Sequence, residues 1–160
     1  MANIAIVTDT SSDITPEQAE AAGVRLVPLT VSFGDETWEA GTELRNDEFY
    51  QKLTAPGAPF PRTAAPNPAL FEAAYQAAFD AGADGVVCVT ISQKLSATYS
   101  SAVQGAGAFE ECTVEVIDSE TTTHSQAMVV NQAAALARGG ATQAEITALA
   151  RDLVLRSELY

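Results

Sequence analysis

Two kinds of hydrophobic pattern alternate along this chain. Short apolar runs rich in β-branched residues, Ile4–Val7, Val24–Phe33, Val86–Thr90 and Thr113–Ile117, read as buried strands. Between them lie stretches whose apolar positions recur every three or four residues, the period of an amphipathic helix. Thr15-Pro16-Glu17-Gln18 supplies an N-cap, a proline at N1 and a capping-box partner, and Gly23 fits the position just past a short helix. Asn46-Asp47-Glu48 places a cap and two acids at a second start, with Phe49 and Leu53 on one face. Asn67 and Pro68 cap a third helix carrying Phe71, Ala74, Tyr75, Ala78 and Phe79 on one stripe, ended by Gly82. Further helices are expected over Leu95–Ala108 and over about Ser125–Arg138, which stops at Gly139-Gly140. Thr142 with Glu145 forms another capping box, opening a helix with Ile146, Leu149 and Leu153 facing inward.

Proline and glycine punctuate this pattern. Pro28 predicts an edge strand or a bulge, and Gly34-Asp35-Glu36 a turn from which Thr37-Trp38 pairs back as a brief hairpin. Ala55–Pro68 holds five of the seven prolines and no periodic run, so it reads as a loop, long enough for a functional or docking role. Strands alternating with helices predict the α/β class: a mostly parallel sheet covered on both faces, in three layers. Right-handed crossovers then bring every strand's C-terminal end to one rim, where Asp9, Ser92, Ser96 and Asp118 meet.

Composition narrows the function classes. The 160 residues suit one domain, and 47% hydrophobic content suits a globular one. With 21 acidic against 8 basic residues, a net charge of −13, non-specific binding to nucleic acid or to anionic membrane is disfavoured. No apolar run approaches the ~20 residues of a membrane span, and no secretory pattern opens the chain, so a cytoplasmic protein is expected. Cys88 and Cys112, in strand-like surroundings without metal-ligand spacing, read as buried, reduced cysteines.

Candidate chemistry centres on Ile91–Ala102, ISQKLSATYSSA, which carries Ser92, Ser96, Thr98, Ser100 and Ser101 where a strand's end turns into a helix start. In an open α/β sheet ligands bind there. Three stretches are free of carboxylates: Ala55–Phe71 with only Arg62 charged, Gly85–Phe109 with only Lys94, and Thr121–Ala137 with neither acid nor Lys or Arg. Hydroxyls and backbone N–H groups at helix starts favour a carboxylate or phosphate, and equally suit plain capping and turn roles. No P-loop, dinucleotide fingerprint or nucleophile elbow is present. A phosphate-handling enzyme would have to use Asp9 and Asp118 with His124, the single histidine; Asp9, Asp13 and Asp118 are the candidate ligands of a hard cation. A bare interaction domain without ligand is a third reading.

Several motifs together resemble the DegV family of bacterial fatty-acid-binding proteins, which includes the carrier subunit of fatty acid kinase. Ile6-Val7-Thr8-Asp9-Thr10-Ser11 is similar to the family's VTDST, and Val27–Val31 with Phe33-Gly34 to its VPL…V.FG strand. Asn46–Leu53 is similar to EEFY.KL, Arg62–Pro68 to TTSQPSP, Ile91–Ala102 to ISSKLSGTYQSA, and Val116–Ser119 to VIDS. The resemblance implies a cytoplasmic carrier that performs no chemistry and uses no cofactor or metal. Its ligand would be a long-chain fatty acid, its tail in an apolar tunnel, presented to the catalytic subunit of a fatty acid kinase. The head-group role falls to Thr63 and Ser96, with Ser92, Arg62 and Lys94 near the site. About fourteen buried methylenes at ~0.8 kcal/mol each supply on the order of 10 kcal/mol before binding costs, while a hydrogen bond to the charged head adds about 1.5–3 kcal/mol. Ala64, Ala65 and Ala97 depart from the family's Ser, Gln and Gly. The resemblance also implies that residues 1–160 are an N-terminal α/β domain, cut at the boundary to a second domain that covers the tunnel. An open groove, weak lipid retention and exposed apolar surface are expected to follow.

Overall fold

The computed structural model describes residues 1–110 and 113–157. In chain order the elements are β1 (Ile4–Asp9), α1 (Pro16–Ala22), β2 (Val24–Val27), β3 (Thr30–Phe33), β4 (Glu36–Glu39), α2 (Asn46–Thr54), β5 (Arg62–Ala64), α3 (Pro68–Asp80), β6 (Gly85–Thr90), α4 (Thr98–Ala106), β7 (Val114–Asp118), α5 (Thr123–Arg138) and α6 (Gln143–Leu155), with a 3-10 turn at Thr10–Ser12. Strands β2-β1-β6-β7 form a wholly parallel sheet, and β4-β3-β5 a separate antiparallel one.

Side-chain alternation explains the three layers of the main domain. In β6, buried along its whole length, Val87 and Val89 join the core beneath α1, α5 and α6, while Val86 and Cys88 join the core beneath α3 and α4. Ile6 and Val7 of β1 divide in the same way. The capping boxes form as their sequences predict: Thr15 Oγ1 accepts from Gln18 N at 3.3 Å, and Thr142 Oγ1 from Glu145 N at 3.3 Å. Helices α3 and α4 approach closely at Gly105, where a Cβ would lie 2.7 Å from Pro68 O and 2.9 Å from Phe71 Cβ. The third apolar cluster belongs to the antiparallel sheet: Val31 and Phe33 with Leu44, flanked by Trp38, Ala40 and Phe49.

Four expectations are corrected. Val24–Phe33 is two strands, because the chain leaves the parallel sheet at Pro28-Leu29; Leu29 donates its N–H to Thr10 Oγ1 at 3.1 Å and its carbonyl accepts from Ala40 N at 2.7 Å. The proline-rich segment is not all loop, since Arg62–Ala64 pairs with β3. Helix α4 begins at Thr98 rather than Leu95, because the carbonyl of Ser92 takes the N–H groups of Leu95 and Ser96 in a tight turn. The cap of α2 falls on Arg45, one residue earlier than Asn46, with Glu48 Oε2 accepting from Arg45 N. Cys88 is buried and unpaired; Cys112 lies outside the described residues. No helix of the described residues is long and apolar enough to cross a membrane.

Candidate ligand-binding site

Topology determines where a crevice opens. β1 has β2 on one side and β6 on the other. The chain leaves β1 toward α1 on one face of the sheet and leaves β6 toward α4 on the opposite face. The two loops therefore diverge, as at the switch point of any open α/β sheet.

Asp9, at the end of β1, ties these loops together. Its Oδ2 accepts from Ile91 N at 2.8 Å and from Gln126 Nε2 at 3.2 Å. Its Oδ1 accepts from Ser11 N at 3.0 Å and from the Ser11 hydroxyl. Gln126 reaches down from α5, also bonding Thr8 Oγ1 at 3.1 Å, and neither Asp9 nor Gln126 is exposed. Burial pushes the Asp9 carboxyl above its ordinary pKa, and these hydrogen bonds pull it partly back. One carboxylate thus fixes both the 3-10 turn and the loop that bears Ser92 and Ser96.

A cleft of about 260 Å³ opens between this turn and the antiparallel sheet. Its apolar wall is built from Leu29, Val31, Ala40, Leu44 and Phe49, and its polar groups include Thr10, Ser11, Asp13, Asn46 and Thr63. Thr63 faces it because β5 pairs Thr63 with the inward-facing Val31. Strand alternation sends Arg62, paired with Ser32, to the other face, where it lines a separate pocket with Asp35 and Phe60. Helix α2 covers the cleft with Phe49 and Tyr50 although none of its nine residues is buried.

The remaining candidates occupy the β6–α4 loop. Ser92 is buried, its hydroxyl accepting from Lys94 N at 3.2 Å. Ser96 is half-buried; its hydroxyl lies 2.8 Å from Thr98 Oγ1 and accepts from Thr98 N at 3.3 Å. Lys94 is turned toward Glu120, 3.7 Å away. Thr63 lines the cleft and Ser96 does not; Asp9 ties the 3-10 turn at the cleft to the loop that bears Ser96. Asp9, Asp118 and His124 do not assemble into a triad: Asp118 Oδ1 accepts from Gln93 N and Glu120 N, and His124 is exposed in the first turn of α5. Among the described residues no group of three His, Cys, Asp or Glu side chains can hold a metal ion. The cleft's apolar wall was not foreseen as a site, although the alternation of Val31 and Phe33 and the Phe49 face of α2 were its signal.

An α/β frame with a cleft between the turn that follows β1 and a small antiparallel sheet, and with this run of motifs, defines a class, and comparison with known proteins identifies it. The family model described as an uncharacterised protein of the DegV family matches residues 3–160. The chain belongs to the DegV family. It is 39% identical over 144 residues to a DegV domain-containing protein of Deinococcus radiodurans, covering 90% of this chain and 50% of that one. It is 36% identical over 141 residues to one of Halalkalibacterium halodurans, covering 88% and 50%. Among solved structures it matches a fatty-acid-binding DegV family protein from Thermus thermophilus with a TM-score of 0.86 at 33% identity, over 95% of this chain and 53% of that one. It also matches DegV, a fatty acid binding protein from Bacillus subtilis, with a TM-score of 0.85 at 26% identity, over 96% and 54%. The chain spans about half the length of the curated relatives it matches.

Proposed function

We propose that this chain is a fatty-acid carrier rather than a catalyst, holding the acyl tail in the cleft beneath α2 and the carboxylate at the hydroxyls of Thr63 and Ser96. The observation that carries this reading is the cleft itself: Leu29, Val31, Leu44 and Phe49 provide apolar surface for a hydrocarbon, and Thr63 stands on its wall as a neutral donor. The tail supplies affinity and the hydroxyls set which end points out. The fatty-acid-binding relatives from Thermus thermophilus and Bacillus subtilis support the ligand class. Presentation of the carboxylate to a fatty acid kinase is the role in which a carrier needs a defined orientation, and we include it in the proposal. Arg62, on the far face of its strand, and Lys94, paired with Glu120, are given no head-group role.

Titration with oleate, followed by thermal unfolding, tests the reading. Saturating oleate is expected to raise the melting temperature, as any ligand of the native state does. Thr63→Ala and Ser96→Ala are each expected to weaken oleate binding by about 1–3 kcal/mol. Absence of any shift with saturated or unsaturated C16–C18 acids would overturn the ligand class.

A further inference from the structure

Two buried polar atoms at the end of the parallel sheet have no hydrogen-bond partner among the described residues: Thr90 Oγ1, on the last residue of β6, and Asp118 Oδ2, on the last residue of β7. Thr90 is fully buried. The two residues are register partners, and beside them the Ser119 N–H donates to Thr90 O at 3.0 Å. Alternation gives both side chains the same face. Val86 and Cys88 of β6, and Val114 and Val116 of β7, join the core beneath α3 and α4, and Thr90 and Asp118 continue those two rows. The other carboxylate oxygen, Asp118 Oδ1, accepts from Gln93 N at 3.2 Å and from Glu120 N at 2.9 Å. Asp118 therefore cannot swing Oδ2 out to solvent without releasing the β6–α4 loop. Buried polar groups of native proteins are paired by protein or by ordered water. Neighbouring strands lie about 4.8 Å apart, and one water making two hydrogen bonds of about 2.8 Å spans that distance. Its chemistry matches the pair, since it accepts from the Thr90 hydroxyl and donates to Asp118 Oδ2.

We infer that Thr90 and Asp118 hold one buried water molecule between β6 and β7, and that this water fixes the carboxylate which anchors the loop bearing Ser92 and Ser96. The coupling runs through one side chain: water on Oδ2 keeps Oδ1 aimed at the Gln93 N–H. The site does not depend on the fatty-acid reading, and a chain that bound no oleate would still hold the water.

A high-resolution crystal structure of the whole chain is expected to show a water within hydrogen-bond distance of both Thr90 Oγ1 and Asp118 Oδ2. Thr90→Val keeps the shape and removes the hydroxyl, whereas Thr90→Ser keeps the hydroxyl. The valine variant should lose the water and melt about 2–4 °C lower. A hydroxyl that is simply unpaired predicts the opposite sign, because valine then relieves a buried polar group. Solvent exchange of the Gln93 amide, followed by NMR, reads the anchor itself: faster in Thr90→Val, and as in wild type in Thr90→Ser. A direct Thr90–Asp118 hydrogen bond in the crystal, the absence of the water, or a valine variant that melts at or above wild type would overturn the site. An unchanged Gln93 rate in Thr90→Val would overturn the anchoring role.

Discussion

Replacing Asp9 by asparagine changes one atom of a buried carboxylate and tests the hub on which both loops depend. Asparagine keeps the volume and the oxygen that faces Ser11, but its amide then opposes two donors, Ile91 N and Gln126 Nε2, which lie 2.8 and 3.2 Å from Asp9 Oδ2. A buried donor left without an acceptor costs about 1–3 kcal/mol. Relief from burying a charge offsets part of this, so a net loss of about 2–3 kcal/mol is expected. The loss should depend on pH. Burial raises the Asp9 pKa from its ordinary 3.8, so between that value and the raised one the folded state binds more protons than the unfolded chain. The stability that wild-type Asp9 contributes is therefore greatest below the window and falls as pH rises through it. Asparagine does not titrate, so the stability gap between variant and wild type should narrow as pH increases. Urea unfolding at several pH values from 4 to 8, monitored by far-ultraviolet circular dichroism, which follows the helices packed on the parallel sheet, measures both quantities. A gap under about 0.5 kcal/mol at every pH, or one that widens with pH, would refute the account of Asp9 as a buried acceptor of raised pKa.

Further outcomes follow from the packing. Gly105→Ala should destabilise by about 1–3 kcal/mol in urea melts, because its Cβ meets the Pro68 carbonyl, which is backbone and cannot swing away. Thr142→Ala removes the acceptor of Glu145 N and should cost about 1 kcal/mol by thermal unfolding. Cys88 is fully buried and its thiol is pushed up to about 12 by desolvation, so in a Cys112→Ser background a thiol reagent at pH 8 should label it only after denaturant is added.

The parallel sheet and its helices were legible because their signals are local: a β-branched run, a capping box, a glycine just past a helix. The antiparallel sheet was harder. β5 is three residues among prolines, and nothing local reveals that Val31 will pair with Thr63. That pairing alone separates Thr63 from Arg62, neighbours in sequence on opposite faces of one strand. The Asp9–Gln126 bond spans 117 residues and leaves no periodic trace. The DegV motifs could be read from the chain, whereas the cleft's wall, drawn from β3, α2 and the intervening loop, required the fold.

The two sheets are of unequal strength, and the cleft has one wall on each. The parallel sheet rests on two extensive cores, whereas the antiparallel sheet and α2 rest, among the described residues, on three buried ones, Val31, Phe33 and Leu44, with Trp38, Ala40 and Phe49 partly buried against them. Amide hydrogen exchange should accordingly divide the molecule into two cooperative units, the smaller opening at lower free energy. A ligand bridging both walls binds only when that unit is closed, so by linkage it protects the amides of β3 and β5 more than those of β6. At a hundred times its dissociation constant such a ligand contributes about 2.7 kcal/mol, a large share of what holds a core of three side chains together. Occupancy would thus be written in the exchange rates of the weaker sheet, and the filled and empty forms would differ in how often they open more than in shape.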